Sequence, residues 1–98
     1  MIKHIVMWRL KDDSQNIKSV AMKMKEKLES MKGKIPTLTS IQIGINEKTS
    51  NDAYDICLIS EHPDWEGLKA YQEHPVHLEV GAFVKEVSKT RTVVDYEF

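Results

Sequence analysis

Cys57 is the only cysteine among 98 residues, so no internal disulfide can form and no Cys-pair metal motif can be assembled. A reducing, cytoplasmic location is the expectation that follows. Excess charge of one sign is also missing: 14 Lys+Arg against 15 Asp+Glu leave a net charge of -1, with no electrostatic pull toward nucleic acid or an anionic membrane. Neither is expected as a partner. Long apolar runs are absent too. Ile5-Val6-Met7-Trp8 and Ile56-Cys57-Leu58-Ile59 fall far short of the roughly 18 residues of a membrane-spanning helix. The opening Met1-Ile2-Lys3-His4 turns polar too early for a secretory leader. With four glycines in all, the chain holds no Gly-rich phosphate loop and no paired glycines of a nucleophile elbow.

What is present is an ordinary globular composition, 41% hydrophobic and 30% charged, read as a single domain over residues 1–98. A chain this short buries only about 65% of its unfolded surface, enough for one core with little reserve. A partner subunit would help.

Ile2 to Leu10 alternates as a strand that is mostly apolar on both sides. Ser14 is placed to cap a helix whose stripe is Ile17, Val20, Ala21, Met24, Leu28 and Met31, with Gly33 as a left-handed stop and Pro36 barring resumption. Ser40–Asn46 and Ala53–Ser60 read as a hairpin, joined by turn-forming and charged residues. After Pro63, Asp64 can cap a short helix in which Trp65, Leu68 and Tyr71 share a side. Pro75 breaks it, leaving His74 at a kink, and starts a further helix with the stripe Val76, Val80, Phe83, Val84 and Val87. Thr90–Phe98, rich in β-branched and aromatic residues, is the last strand. The order β-α-β-β-α-β with a broken second helix is the α+β, ferredoxin-like pattern: one four-stranded antiparallel sheet with its helices on one face. Apolar residues on the uncovered face predict two such sheets packed together in a homodimer.

Five stretches together resemble the stress-responsive dimeric α+β barrel (Dabb) family. They are Lys3-His4-Ile5-Val6-Met7-Trp8-Arg9-Leu10-Lys11, Gly44-x-Asn46, Tyr54-Asp55, Tyr71-Gln72-Glu73-His74-Pro75-Val76-His77 and Arg91-x-x-x-Asp95-Tyr96. The Tyr-x-x-His-Pro-x-His element is the most specific of them. The resemblance implies a dimer whose sheets join into a barrel. Most such proteins have no assigned reaction, so architecture is narrowed more than activity. In one plant branch, olivetolic acid cyclase, a linear polyketide is closed by aldol chemistry between sheet and helices. The resemblance carries that enzyme's acid/base pair onto Tyr71 and His77 and a supporting histidine onto His4. Its third-strand histidine is replaced near Asp55.

The residues themselves support chemistry of that kind. Histidine gives or takes a proton near neutrality, and a phenol within reach of His77 could donate to a developing enolate oxygen. Substrates with an acidic C–H beside a carbonyl would suit such a pair. In the competing account, His74 caps a helix, His77 satisfies a carbonyl and Tyr71 fills the core. The expected function is therefore binding of a small apolar or carbonyl-bearing ligand near His4, Tyr71 and His77, with no cofactor. The alternatives are a cofactor-independent cyclase or isomerase, or a non-enzymatic stress-protective protein. His74-x-x-His77 with His4 suggests zinc, but the extended residue before Pro75 breaks the helical spacing that would aim both rings at one point, so no metal site is expected. Haem handling, as in more distant dimeric barrels, would show itself as a visible absorption band. Cys57 reads as a small buried hydrophobe, and Met22, Met24 and Met31 as core filling. Trp8 and Trp65 could line an apolar pocket or anchor the core or the dimer seam.

Overall fold

The computed structural model describes residues 1–11 and 16–98. Seven elements follow in order: β1 (Ile2–Leu10), α1 (Ile17–Glu29), β2 (Ser40–Ile45), β3 (Ile56–His62), α2 (Trp65–Glu73), α3 (Pro75–Val87) and β4 (Ser88–Glu97). Every strand pairing is antiparallel and the sheet order is β2-β3-β1-β4, the ferredoxin-like arrangement expected from the element order. The second helix is two helices, α2 and α3, split at His74 and Pro75.

Alternation in β1 decides which face is covered. Ile2, His4, Val6, Trp8 and Leu10 are buried beneath the helices, joined across the ladder by Ile56, Leu58, Ser60 and His62 of β3. α1 contributes Ala21, Met24 and Leu28 to this core, and Met31 adds a fully buried side chain just beyond the helix end. Each such aliphatic side chain stabilises the fold by roughly 1.5–3 kcal/mol when wholly removed from water. Met22 departs from the core-filling reading. It lies on the outer side of α1 and is 57% exposed, because it falls one step off the buried 3.6-residue stripe.

Local chemistry explains the breaks. Asn16 precedes α1; the Ser14 cap lies outside the described residues. Gly33 takes φ +81, the left-handed conformation in which a Cβ is strained. It sits four residues beyond α1, after a further turn from Ser30 onward. Asp64 caps α2 by accepting from the Gly67 N–H at 2.7 Å. His74 is extended (ψ 138), as a residue before proline must be, and its Nδ1 accepts from the Val76 N–H at 3.1 Å to cap α3.

Strand β3 begins and ends later than Ala53–Ser60. Tyr54 and Asp55 are absorbed into the connection, where the Asp55 N–H donates to the Trp8 carbonyl at 2.9 Å and its carboxylate accepts from the Leu10 N–H at 2.7 Å. Asp55 thus ties the hairpin to the end of β1. Trp65 keeps the side it shares with Leu68 and Tyr71 but not their burial: those two are buried, whereas Trp65, in the first turn of α2, is 51% exposed.

The face without helices carries Ile5, Met7, Cys57, Ile59, Val94 and Tyr96, in register across β3-β1-β4. Met7, Val94 and Tyr96 are exposed, while Cys57 is half-buried on this open face rather than in the core.

Candidate functional site

Four aromatic rings meet under the helices. Tyr71, on the last turns of α2, lies 4.6 Å between centroids from His77 on the first turns of α3, and 4.6 Å from His62 of β3. His4 of β1 completes the group, 6.2 Å from Tyr71 and 6.3 Å from His62. The break at Pro75 is what allows Tyr71 and His77, six positions apart, to face each other: each belongs to its own capped helix. The structure therefore brings together all three residues singled out in the sequence, His4, Tyr71 and His77.

It also adds residues that sequence reasoning missed. His62 of β3, seven positions beyond Asp55, packs against Tyr71 in the same cluster. Its signal was the parity of Ile56, Leu58 and Ser60, which continues to position 62. Asp95 faces His4 across the β1–β4 ladder and binds its Nδ1, fixing a proton on that nitrogen. Ser60 is fully buried among them.

The hydrogen bonds assign the His62 tautomer. Nδ1–H donates to the Thr37 carbonyl at 2.9 Å, so Nε2 must accept from the Ser60 hydroxyl, also at 2.9 Å. Burial, the largest influence, lowers the His62 pKa. The Thr37 carbonyl opposes it, His4 reinforces it, and Asp95 opposes it. Burial likewise lowers the His77 pKa, helped by His4 and opposed by the Gln72 carbonyl. Burial drives the Tyr71 pKa well above its usual 10, overcoming the opposite influence of Ser60 and Arg91. These directions favour a protonated phenol at Tyr71 and uncharged imidazoles at His62 and His77 at neutral pH.

His4, Tyr71 and His77 of this cluster form the inner end of a cavity of about 440 Å³ between sheet and helices, within the range of small-molecule sites. Its walls are apolar: Val6, Trp8, Leu28, Leu58, Val80 and Val84. Two buried polar atoms on its lining residues have no properly aligned partner, Trp8 Nε1 and His77 Nδ1. Buried Trp N–H groups and imidazole nitrogens ordinarily find partners, so the pair marks where a bound molecule could supply them. Gly81, within α3, also lines the cavity, and a Cβ added there would meet no atom within 4 Å. A helix-interior glycine costs about 1 kcal/mol relative to alanine, yet here no neighbouring atom requires it. Among the described residues, no three His, Cys, Asp or Glu side chains are grouped to hold a metal ion. No helix among them is long and apolar enough to cross a membrane.

A dimeric ferredoxin-like protein of unknown function from Bacteroides fragilis is 33% identical, with a TM-score of 0.87 over 99% of this chain and 95% of its own. A Dabb family protein from Mesorhizobium loti is 22% identical, with a TM-score of 0.70 over 99% of this chain and 95% of its own. The hydroxynitrile lyase of Passiflora edulis shares the fold at 17% identity, with a TM-score of 0.73 over 97% and 90%. No curated protein matches the chain significantly. The model of the stress responsive A/B barrel domain matches residues 2–98, and the chain belongs to that family, Dabb.

Proposed function

We propose that this Dabb protein binds a small, largely apolar, carbonyl-bearing molecule in the cavity bounded by His4, Tyr71 and His77. The observation that carries the reading is the cavity's inner end, where a protonated Tyr71 phenol sits against an uncharged His77 whose Nδ1 is unpartnered. A carbonyl oxygen there would accept from the phenol, and the apolar remainder would lie on Leu28, Val80 and Val84.

The same pair favours a second reading, cofactor-independent acid/base chemistry by a cyclase or isomerase. Its lowered pKa keeps His77 unprotonated near neutrality, able to take a proton from a C–H beside a carbonyl, while Tyr71 stabilises the enolate oxygen that forms. Asp95 and His4 then position and balance charge behind the pair. The hydroxynitrile lyase among the neighbours is an enzyme built on this fold.

The assembly we propose is a homodimer. Ile5, Met7, Cys57, Ile59, Val94 and Tyr96 form an uncovered apolar sheet face of the kind that marks protein interfaces, and the Bacteroides fragilis neighbour is dimeric.

Ligand-observed NMR with 2-octanone in D2O tests both chemical readings. Binding that disappears on filling the cavity with Gly81→Leu supports the ligand site, and binding unaffected by that change overturns it. Faster α-proton exchange than in buffer, lost in His77→Ala and Tyr71→Phe, supports the enzyme. Binding with no acceleration of exchange leaves a carrier.

A further inference from the structure

The opposite end of the cavity differs in character from the aromatic cluster. Lys85 closes the last turn of α3, and Lys89 and Arg91 follow on β4, all three lining the opening. No Asp or Glu lines the cavity among the described residues, although acids outnumber bases in the whole chain. None of the three cations joins a salt bridge among those residues. The β1–β4 register slips between Arg9 and Leu10, pairing Arg9 with Thr90 but Leu10 with Ser88. Lys89 is the extra residue of this irregularity, a feature often found beside functional sites. Arg91 stands directly opposite Trp8 in the ladder, and Trp8, 5% exposed, holds the unpartnered indole N–H described above. An indole N–H can only donate, so whatever satisfies it must bring an acceptor.

We infer that Trp8 Nε1, Arg91 and Lys89 form a subsite for an anionic head group, so that the ligand is an amphipathic anion, its charge at the β4 opening and its carbonyl toward Tyr71 and His77. The inference rests on the proposed apolar ligand site and deepens it. A carboxylate or a phosphate ester offers the acceptor oxygens that an indole N–H and a guanidinium fork both take. Both ends belong to one cavity of about 440 Å³, lined by Tyr71 and His77 as well as by Trp8, Lys89 and Arg91. The subsite also orders the ligand, because a molecule bound the other way round would set its apolar tail against the indole N–H and leave it unsatisfied.

Intrinsic fluorescence in a Trp65→Phe background isolates Trp8, since Trp65 is exposed and does not line the cavity. Octanoate, octyl phosphate and octan-1-ol carry the same tail with different heads. At low ionic strength one or both anions are expected to bind at least tenfold more tightly than the alcohol, with the preference shrinking as salt is raised. Whichever anion binds more tightly identifies the head-group source. Arg91→Gln is expected to erase the anion's advantage and leave alcohol binding unchanged. Equal binding of all three, or equal weakening of all three by Arg91→Gln, overturns the anionic subsite while leaving the apolar site standing. If none of them binds, both readings fail.

Discussion

Acidification is a perturbation whose sign the structure fixes, and His62 is its centre. The ring is fully buried, its two nitrogens are committed to Thr37 and Ser60, and burial lowers its pKa below the unfolded value of 6.5. The unfolded chain therefore takes up a proton first as pH falls. The stabilisation is fully present above 6.5 and is lost as pH drops through 6.5 toward the folded pKa. In that window each such group costs at most about 1.4 kcal/mol per pH unit. For a domain of this size, 1 kcal/mol corresponds to roughly 4–8 °C in Tm. Calorimetric Tm between pH 8 and 5.5 should therefore be flat above 7 and fall by several degrees below 6.5. His62→Gln, whose amide can still donate to Thr37 and accept from Ser60, should start lower but show a shallower fall. NMR should find the His62 ring uncharged at pH 6.5. Parallel pH slopes in the two proteins, or a His62 that titrates at its ordinary value, would refute the reasoning.

Val94→Glu, on the uncovered sheet face, should convert the proposed dimer into an 11.3 kDa particle by light scattering, with the far-UV spectrum retained. Leu28→Ala, at a wall of the cavity, should cost about 2–3 kcal/mol in denaturant melts, the lower part of the usual range because one side already faces open space. Asp64→Ala removes the acceptor that holds the Gly67 N–H and should lower stability by about 1 kcal/mol, measured as a shifted urea midpoint with an unchanged slope.

The architecture was legible because its signals are local. The β1 alternation, the Asp64 cap, the His74-Pro75 break and the α1 stripe each depend on residues within one or two turns. The boundaries of β3 were less so. Tyr54 and Asp55 look like strand residues, but their hydrogen bonds go to the end of β1, a contact that no local pattern announces. His62 was overlooked for a different reason: the alternation of Ile56, Leu58 and Ser60 does run on to it, but it lies beyond the expected strand end and next to Pro63. The partnership of His4 with Asp95 joins positions 91 residues apart, so only the sheet register reveals it. Trp65 shows the limit of helical spacing: it shares a face with Leu68 and Tyr71, yet it stands at the N-terminal end of α2 and is exposed while they are buried.

Gly81 carries a consequence for how this scaffold diversifies. The bare position on α3 faces vacant volume, so alanine could be admitted there with no atom within 4 Å of its Cβ, and each longer side chain would shorten the guest the proposed site could accept. Length selectivity is thereby separated from folding: a single position would set it, and larger residues there would trade capacity for a firmer helix.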